Sequence, residues 1–140
     1  MRKTILMLAA TAMMFGLTGG VALAAIVEGD NGGNRLTGTQ RADGIRGLGG
    51  GDLIRSLGGS DTVYGGSGDD IIYGSGGRDR LFGGNGFDQI AAGEGNDFVN
   101  VIGDDSGDFV NCGPGNDTVN EMPGDHGPKN VYKNCEVFAQ

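Results

Sequence analysis

The chain repeats itself every nine residues from Gly29 to Asn100, and this short period constrains the fold more than any other feature of its 140 residues. When blocks are counted from Gly29, the sixth position is acidic or an amide and the eighth is a branched aliphatic. The sixth positions are Asn34, Asp43, Asp52, Asp61, Asp70, Asp79, Asp88 and Asp97. The eighth positions are Leu36, Ile45, Ile54, Val63, Ile72, Leu81, Ile90 and Val99. A fixed period of this length predicts a solenoid, in which each repeat packs against its neighbours.

Two extra residues, Val101 and Ile102, break the count, after which the pattern resumes with the acids Asp108 and Asp117. Block 65–73, GGSGDDIIY, shows the whole rule. Positions 1 to 5 are rich in glycine, which tolerates positive φ and close backbone approach. Position 8 lies in the alternating pattern of a very short strand. Two blocks then make one coil, and coils stack at about 4.8 Å with the aliphatic side chains between two parallel sheets.

Stacking places the acids in two ladders, one along each edge of the solenoid. One ladder would hold Asn34, Asp52, Asp70 and Asp88, and the other Asp43, Asp61, Asp79 and Asp97. Carboxylates one strand spacing apart repel each other, so a cation must neutralise them. Calcium suits this task because it accepts six to eight carboxylate and carbonyl oxygens, whereas magnesium demands stricter octahedral geometry and is the weaker candidate.

The blocks resemble the RTX (hemolysin-type) calcium-binding repeat, Gly-Gly-x-Gly-x-Asp-x-aliphatic-x, over about residues 28–120. The resemblance implies an all-β fold, a right-handed parallel β-roll, with several calcium ions held between successive turns by position-6 side chains and turn carbonyls. The metal ligands that it implies are Asp43, Asp52, Asp61, Asp70, Asp79, Asp88, Asp97, Asp108 and Asp117. Blocks 29–37, 38–46 and 103–111 depart from the glycine pattern, so we expect weak binding or end coils there.

The first residues are typical of a secretory signal peptide. Arg2 and Lys3 precede an apolar stretch over residues 5–15, and the small-residue motif ending at Ala24 predicts cleavage after that residue. A membrane anchor is the alternative, but glycines interrupt an apolar run that is too short to span comfortably. We expect a secreted, extracellular protein with a signal peptide over 1–24, repeats over 25–120 and a C-terminal cap over 121–140. RTX proteins usually leave through an uncleaved C-terminal signal, so the route of export would differ here.

The charge of the chain is mostly its candidate ligand set. The formal net charge is −8; removal of Arg2 and Lys3 leaves 8 Lys and Arg against 18 Asp and Glu, or −10. A chain this acidic is not expected to bind nucleic acid through phosphates. With 31 glycines and only 6% aromatic residues, the metal-free chain should scarcely offset its conformational entropy, so calcium binding should drive folding.

Cys112 and Cys135 are the two cysteines, and in an exported protein such a pair predicts a disulfide, with two free thiols as the alternative. The segment around Cys135 looks like a closing strand that caps the solenoid. We expect Val131, Val137 and Phe138 to cover the last coil, because an open stack requires a terminal cap.

The sequence contains no convincing catalytic site. His126 is the single histidine and lies in a loop rich in proline and glycine. In the pair Asp69 and Asp70, the repeat makes one residue a ligand and the other a turn residue; Asp104 and Asp105 are a similar pair. No zinc-type cluster or phosphate-binding motif is present. We therefore predict that the protein is not an enzyme.

Tyr64, Tyr73 and Phe82 occupy position 9 of consecutive blocks and should point outward, with Tyr64 and Phe82 one coil apart on the same sheet. Ordinary stacking on a β surface is the favoured interpretation, and a glycan- or partner-binding strip is the other. The leading hypothesis is a calcium-dependent structural or surface-interaction module. The alternatives are a small exported enzyme or enzyme accessory, and a glycan-binding adhesin.

Overall fold

The structure, a computed structural model, describes residues 24–103, 106–121 and 130–139. These residues form short strands connected by glycine-rich turns. The strands are β1 (Ile26–Glu28), β2 (Arg35–Thr37), β3 (Gly44–Gly49), β4 (Leu53–Arg55), β5 (Thr62–Ser67), β6 (Ile71–Gly76), β7 (Arg80–Asn85), β8 (Gln89–Glu94), β9 (Phe98–Asn100), β10 (Phe109–Asn111), β11 (Thr118–Asn120), β12 (Val131–Lys133) and β13 (Val137–Ala139). Within this part of the chain there is no helix that could cross a membrane.

Successive strands alternate between two parallel sheets. The odd-numbered strands form a seven-stranded sheet in chain order, and the even-numbered strands form a six-stranded sheet. Each strand pairs with the strand one coil later, so that Ile45 lies opposite Val63 and Ile54 opposite Ile72, 18 residues apart. This is the parallel β-roll that the nine-residue period predicts.

The core is a single file of aliphatic side chains between the two sheets. The position-8 residues from Leu36 to Val119 are at most 1% exposed, and the residues on either side of each point outward or into the turns. Three residues at the start of a turn, Ala92, Val101 and Cys112, add to this core. Because the core is so thin, each coil depends on its two neighbours for burial.

The extra residues after β9 are not accommodated as the sequence count suggests. Val101 is only 6% exposed, and its backbone N–H donates to the Asn120 carbonyl. It therefore occupies the inward position that Ala92 and Cys112 occupy in their own turns. The additional length falls between Val101 and Asp108, in a turn that includes Asp104 and Asp105, which lie outside the described residues.

The C-terminal cap differs from the expectation of one closing strand. The chain forms two strands, β12 and β13, and each extends a different sheet. Val131 does not cover the last coil, because it is 54% exposed, whereas Tyr132 packs against the core. The expectation for Phe138 and Val137 concerns side chains outside the described part of the structure.

A disulfide between Cys112 and Cys135 joins the cap to the last regular coil, with Cα atoms 5.1 Å apart. Cys112 is fully buried, and Cys135 packs against the core from the cap side. The signal segment that the sequence predicts over 1–24 lies outside the described residues except for Ala24, and so does His126.

Candidate metal centre

The turns have a backbone conformation that only glycine adopts without strain. Positions 2 and 4 of the blocks from 47 to 100 all have positive φ; Gly66 and Gly68, for example, have φ of 119° and 117°. At three turns position 2 is not glycine, yet Leu48, Leu57 and Ser75 keep φ of 78–80°. The stacked geometry therefore imposes this conformation even on residues that disfavour it.

Successive turns touch each other through their backbones. A Cβ atom added at Gly84 would lie 2.0 Å from the carbonyl oxygen of Gly66, and one added at Gly86 would lie 2.4 Å from that of Gly68. The carbonyl oxygens at positions 2 and 4 thus point along the stack toward the next turn. The position-2 carbonyl also accepts a backbone N–H from the next coil, as Leu57 does from Gly76 at 3.0 Å, so a cation between the coils would use its remaining lone pair.

The position-6 side chains form two continuous hydrogen-bonded ladders. The backbone N–H of each residue donates to Oδ1 of the acid one coil later; the bond from Asp52 to Asp70 is 2.8 Å, and that from Asp61 to Asp79 is 2.9 Å. The first ladder contains Asn34, Asp52, Asp70, Asp88, Asp108 and Asn130. The second contains Ala25, Asp43, Asp61, Asp79, Asp97 and Asp117. The sequence-based division of the acids between two edges is the division that the structure has.

Asn130 is the one ladder side chain, among the described residues, that the sequence analysis missed. Its Oδ1 accepts the N–H of Asp108 at 2.7 Å, and its side chain takes the place of the next position-6 acid. The step from Asp108 is 22 residues, so a nine-residue count does not find it. Alignment of the apolar centres of β10 and β12, where Val110 pairs with Tyr132, was the signal that could have identified it.

The second carboxylate oxygen of these acids is buried without a hydrogen-bond donor. The ladder acids are at most 4% exposed. Within the described residues, Oδ2 has no hydrogen-bond partner at Asp52, Asp70, Asp79, Asp97 and Asp117. In its own turn Oδ2 of Asp70 lies close beneath Gly65, where an added Cβ would be 2.3 Å away. A buried carboxylate oxygen in this state is unfavourable unless a proton or a cation compensates it.

Burial has a direct effect on the acidity of these groups. Loss of solvent raises the pKa of Asp79 to about 7 and that of Asp70 to about 6. The backbone N–H bond from the preceding coil opposes the shift, and the neighbouring ladder acids increase it further. Burial likewise raises the pKa of Asp52, Asp61 and Asp97. The interior of each ladder therefore favours a bound positive charge at neutral pH.

In the first coil, the side-chain oxygens of the position-6 residues accept hydrogen bonds from residues of their own turns. Both oxygens of Asp43 accept bonds from Thr39, including one of 2.5 Å from its backbone N–H to Oδ2. Oδ1 of Asn34 accepts the N–H of Asp30 at 2.8 Å. Thr39 stands where the repeat expects glycine, so the departures at blocks 29–37 and 38–46 coincide with turns whose oxygens are already occupied.

The donor set fits calcium. Among the described residues no group of three or more His, Cys, Asp or Glu side chains could hold an ion without other ligands. Backbone carbonyls would therefore have to supply much of the coordination, together with Oδ2 of successive ladder acids. Carboxylate and carbonyl oxygens are the ligands of a hard, flexible cation such as calcium, and zinc prefers nitrogen and sulfur. A bound ion would supply the positive charge that the buried oxygens require.

The pair Asp69 and Asp70 divides between two roles, as the repeat predicts. Asp69 is exposed, and its Oδ1 accepts the N–H of Phe87 at 2.9 Å. Asp70 is fully buried in the ladder. The two carboxylates thus do not form an acid–base pair that faces a common pocket.

The comparisons with known proteins identify the repeat. A family model for the RTX calcium-binding nonapeptide repeat matches the chain four times, at residues 28–63, 46–81, 56–90 and 73–101. These matches together span 28–101, just over half of the chain. No curated protein and no solved structure matches it. The matched segment contains the stacked turns and both acid ladders, and the chain belongs to the RTX calcium-binding nonapeptide-repeat family.

Proposed function

We propose that the protein is a secreted calcium-binding module that holds several calcium ions between its stacked turns and folds when it binds them. The ligands would be Oδ2 of the position-6 acids on successive coils, with backbone carbonyl oxygens of the stacked turns, those of position 1 among them. The module would act as a structural or surface-interaction element. No part of this role requires catalysis.

The observation that carries this proposal is the column of buried carboxylate oxygens that lack a hydrogen-bond donor. Within one ladder Asp52 and Asp70 each present such an oxygen, and in the other Asp79 and Asp97 do the same. The position-1 carbonyl of the next turn lies at the same place: a Cβ added at Gly65 would be 2.3 Å from Oδ2 of Asp70 and 2.6 Å from the carbonyl oxygen of Gly83. A cation there would convert the largest electrostatic penalty of the fold into an attraction.

The ligand set is expected to be uneven along the roll. Asp70, Asp79 and Asp97 have turns of the regular type stacked on both sides. Asp52, Asp61 and Asp88 have an altered turn on one side, because their ladder neighbours include Asn34, Asp43 and Asp108. Asp43 is satisfied by Thr39 and should contribute least. Asp108 and Asp117 lie beyond the altered turn, although the ladder bonds across it are retained at 2.9 Å.

Export rests on the N-terminal sequence and fits the calcium requirement. The charged start, apolar stretch and small-residue motif before Ala25 support cleavage there. Calcium sites of extracellular modules bind in the range of about 10⁻⁴–10⁻³ M. A chain that folds at such concentrations would stay unfolded inside the cell and fold after export.

The test is a calcium titration followed by far-UV circular dichroism, with magnesium in parallel and chelator added at the end. We expect a cooperative, reversible gain of β structure with calcium and little response to magnesium. A β spectrum that chelator leaves unchanged would contradict folding on binding. The same protein examined by isothermal titration calorimetry gives the number of ions bound.

A matched pair of substitutions separates ligand from scaffold. Asp70→Asn keeps the shape and the acceptor for the Asp52 N–H, as Asn130 does for the Asp108 N–H. It should weaken calcium binding at least tenfold at the affected sites, because a charged ligand is lost, without a loss of metal-free stability. Asp69→Asn, one residue away and exposed, is the control and should leave the titration unchanged. Equal effects of the two substitutions would refute the assignment of Oδ2.

A further inference from the structure

The outward faces of the two sheets differ in the residue that follows the tyrosine in the position-9 column. On the seven-stranded sheet Tyr64 is followed one coil later by Phe82, and the rings stack with centroids 4.6 Å apart and an angle of 12°. On the six-stranded sheet Tyr73 is followed by Ala91. The alanine methyl group leaves open the space that a second ring fills on the opposite sheet.

This gap is a notch of about 130 Å³ in the outer face of the six-stranded sheet. Tyr73 and Asn111 bound it along the position-9 column, two strands apart with Ala91 between them. Gln89 and Phe109 lie beside it in the position-7 column. Tyr73 is 41% exposed and Phe109 is 38% exposed, so both rings are accessible from the solvent.

The walls of the notch are held in place by contacts on their outer sides. The guanidinium of Arg55 lies 5.6 Å from the centroid of the Tyr73 ring. Since Arg55 is on the strand before Tyr73 and Ala91 is on the strand after it, the free side of the ring faces the notch. At the other end Oδ1 of Asn111 accepts a 3.0 Å bond from Nδ2 of Asn134, which orients the amide. The site therefore needs little ordering to accept a ligand.

The lining selects a class of ligand. Two aromatic rings offer apolar faces, and the carboxamides of Gln89 and Asn111 offer both donors and acceptors. None of the side chains that line the notch carries a charge at neutral pH, and the chain as a whole carries −8, so an anionic ligand is disfavoured. A volume well below the ~300 Å³ of small-molecule pockets admits one ring rather than an extended chain.

We propose that the notch over Ala91 binds a single neutral sugar ring. The apolar C–H face of a pyranose would lie against Tyr73 or Phe109, and its hydroxyl groups would bond to the carboxamides of Gln89 and Asn111. This site is separate from the acid ladders and lies on the opposite side of the sheet from the core. It also differs from a Tyr64 and Phe82 strip, because those two rings cover each other.

The experiment is a titration of the ¹⁵N-labelled, calcium-loaded protein with methyl glycosides of glucose, mannose and galactose, followed by ¹H–¹⁵N correlation spectra. For a ligand of this size in a shallow site, we expect Kd of about 1 mM or weaker. The shifted amides should belong to β6, β8 and β10. Cyclohexanol and an anionic uronide are the comparison ligands, and both should bind at least tenfold more weakly than the best glycoside.

Ala91→Phe is the decisive variant, because it places beside Tyr73 the ring that Phe82 places beside Tyr64. It should abolish the shifts while the calcium-induced β spectrum is retained. Thr37→Phe adds the same ring at position 9 of the same sheet, outside the notch, and should bind as the parent does. If Ala91→Phe fails to fold, Tyr73→Ala must give the same loss. Absence of shifts with every glycoside, retention of binding in the folded variant, or equally tight binding of cyclohexanol would overturn the proposal.

Discussion

The backbone conformation and the ionisation of individual residues in this roll are determined by their position in the coil more than by their intrinsic preferences. Ser75 is at position 2 of a turn with φ of 79°, although left-handed backbone is unfavourable for every residue except glycine by roughly 1–2 kcal/mol. Asp79 is buried with a pKa raised to about 7. Both features are local costs that the stack imposes, one steric and one electrostatic.

The steric cost predicts that Ser75→Gly stabilises the calcium-loaded protein. The side chain of Ser75 is exposed, so little burial is lost, and relief of the left-handed strain should exceed the extra flexibility of glycine in the unfolded chain. We expect a gain of about 0.5–1 kcal/mol in the free energy of unfolding, measured by denaturant titration. Ser75→Ala removes the same hydroxyl but keeps the strain, so it should give no gain. A gain as large for alanine would show that φ is not the cause.

At the scale of elements, the strands are interchangeable units whose identity depends on the strands beside them. Each strand has three to six residues, and every strand from β3 to β11 pairs with the strand one coil before it and the strand one coil after it. The end strands β12 and β13 have a neighbour on one side only, and the Cys112–Cys135 disulfide supplies a covalent link there. The cap therefore depends on this bond more than the interior depends on any one contact.

Removal of the disulfide in the double variant Cys112→Ala, Cys135→Ala should destabilise the cap selectively. A closed loop of 23 residues contributes about 3 kcal/mol in the chain-entropy description. Hydrogen exchange followed by mass spectrometry in calcium should show faster exchange in β12 and β13, with β5 to β8 unchanged. Reduction of the parent protein should give the same pattern. Uniform loss of protection along the roll would mean that the cap controls the whole stack.

The sequence predicts the interior elements well because the period itself carries the information. Ile72 is inward and Asp70 is at the edge by count alone, and the structure places both there. The count fails where loop length changes, since Asn130 and Tyr132 follow Asp108 and Val110 by 22 residues. Their places depend on pairing with β10, which spacing in the sequence does not encode.

The notch over Ala91 was not foreseen for a related reason. Ala91 is an unremarkable position-9 residue until the register places it between Tyr73 and Asn111. The notch is formed by three neighbouring strands, so its prediction requires the order and register of the strands in the sheet as well as the repeat. By contrast, the outward stacking of Tyr64 and Phe82 involves adjacent strands one coil apart, and the sequence-based expectation for it is confirmed.

At the scale of the whole molecule, protons and calcium compete for the same buried charge. Burial raises the pKa of Asp70 to about 6 and that of Asp79 to about 7, from the usual 3.8 of an aspartate. A carboxyl group with a raised pKa in the folded state stabilises the fold when it is protonated, and this stability is lost as pH rises through the folded pKa. The metal-free roll should thus be least stable at the pH values at which calcium binds most tightly, because the ladder acids are ionised there.

Acidification of the metal-free protein from about pH 7.5 to about pH 5 should increase its β structure, as the interior ladder acids take up protons. Acidification should have the opposite effect on calcium binding. Between about pH 7.5 and about pH 5 the apparent affinity for calcium should fall, because protons displace the ion. Circular dichroism in chelator and calcium titrations at each pH measure the two trends. Light scattering controls for association, since the sequence pI is about 4.4. Metal-free β structure that increases with pH would contradict the burial of these carboxyl groups.

The ladder bonds also define how much length the chain between two coils can absorb. Donor and acceptor are 18 residues apart through the regular coils, 20 residues apart from Asp88 to Asp108 and 22 from Asp108 to Asn130, yet the bonds at the last two steps are 2.9 and 2.7 Å. The ladder bonds thus fix the spacing between neighbouring coils, whereas the number of residues in the connecting turn can vary. A guest peptide grafted between Val101 and Asp108 would leave the coils in register, which makes this turn the natural place to present a foreign segment whose display depends on calcium.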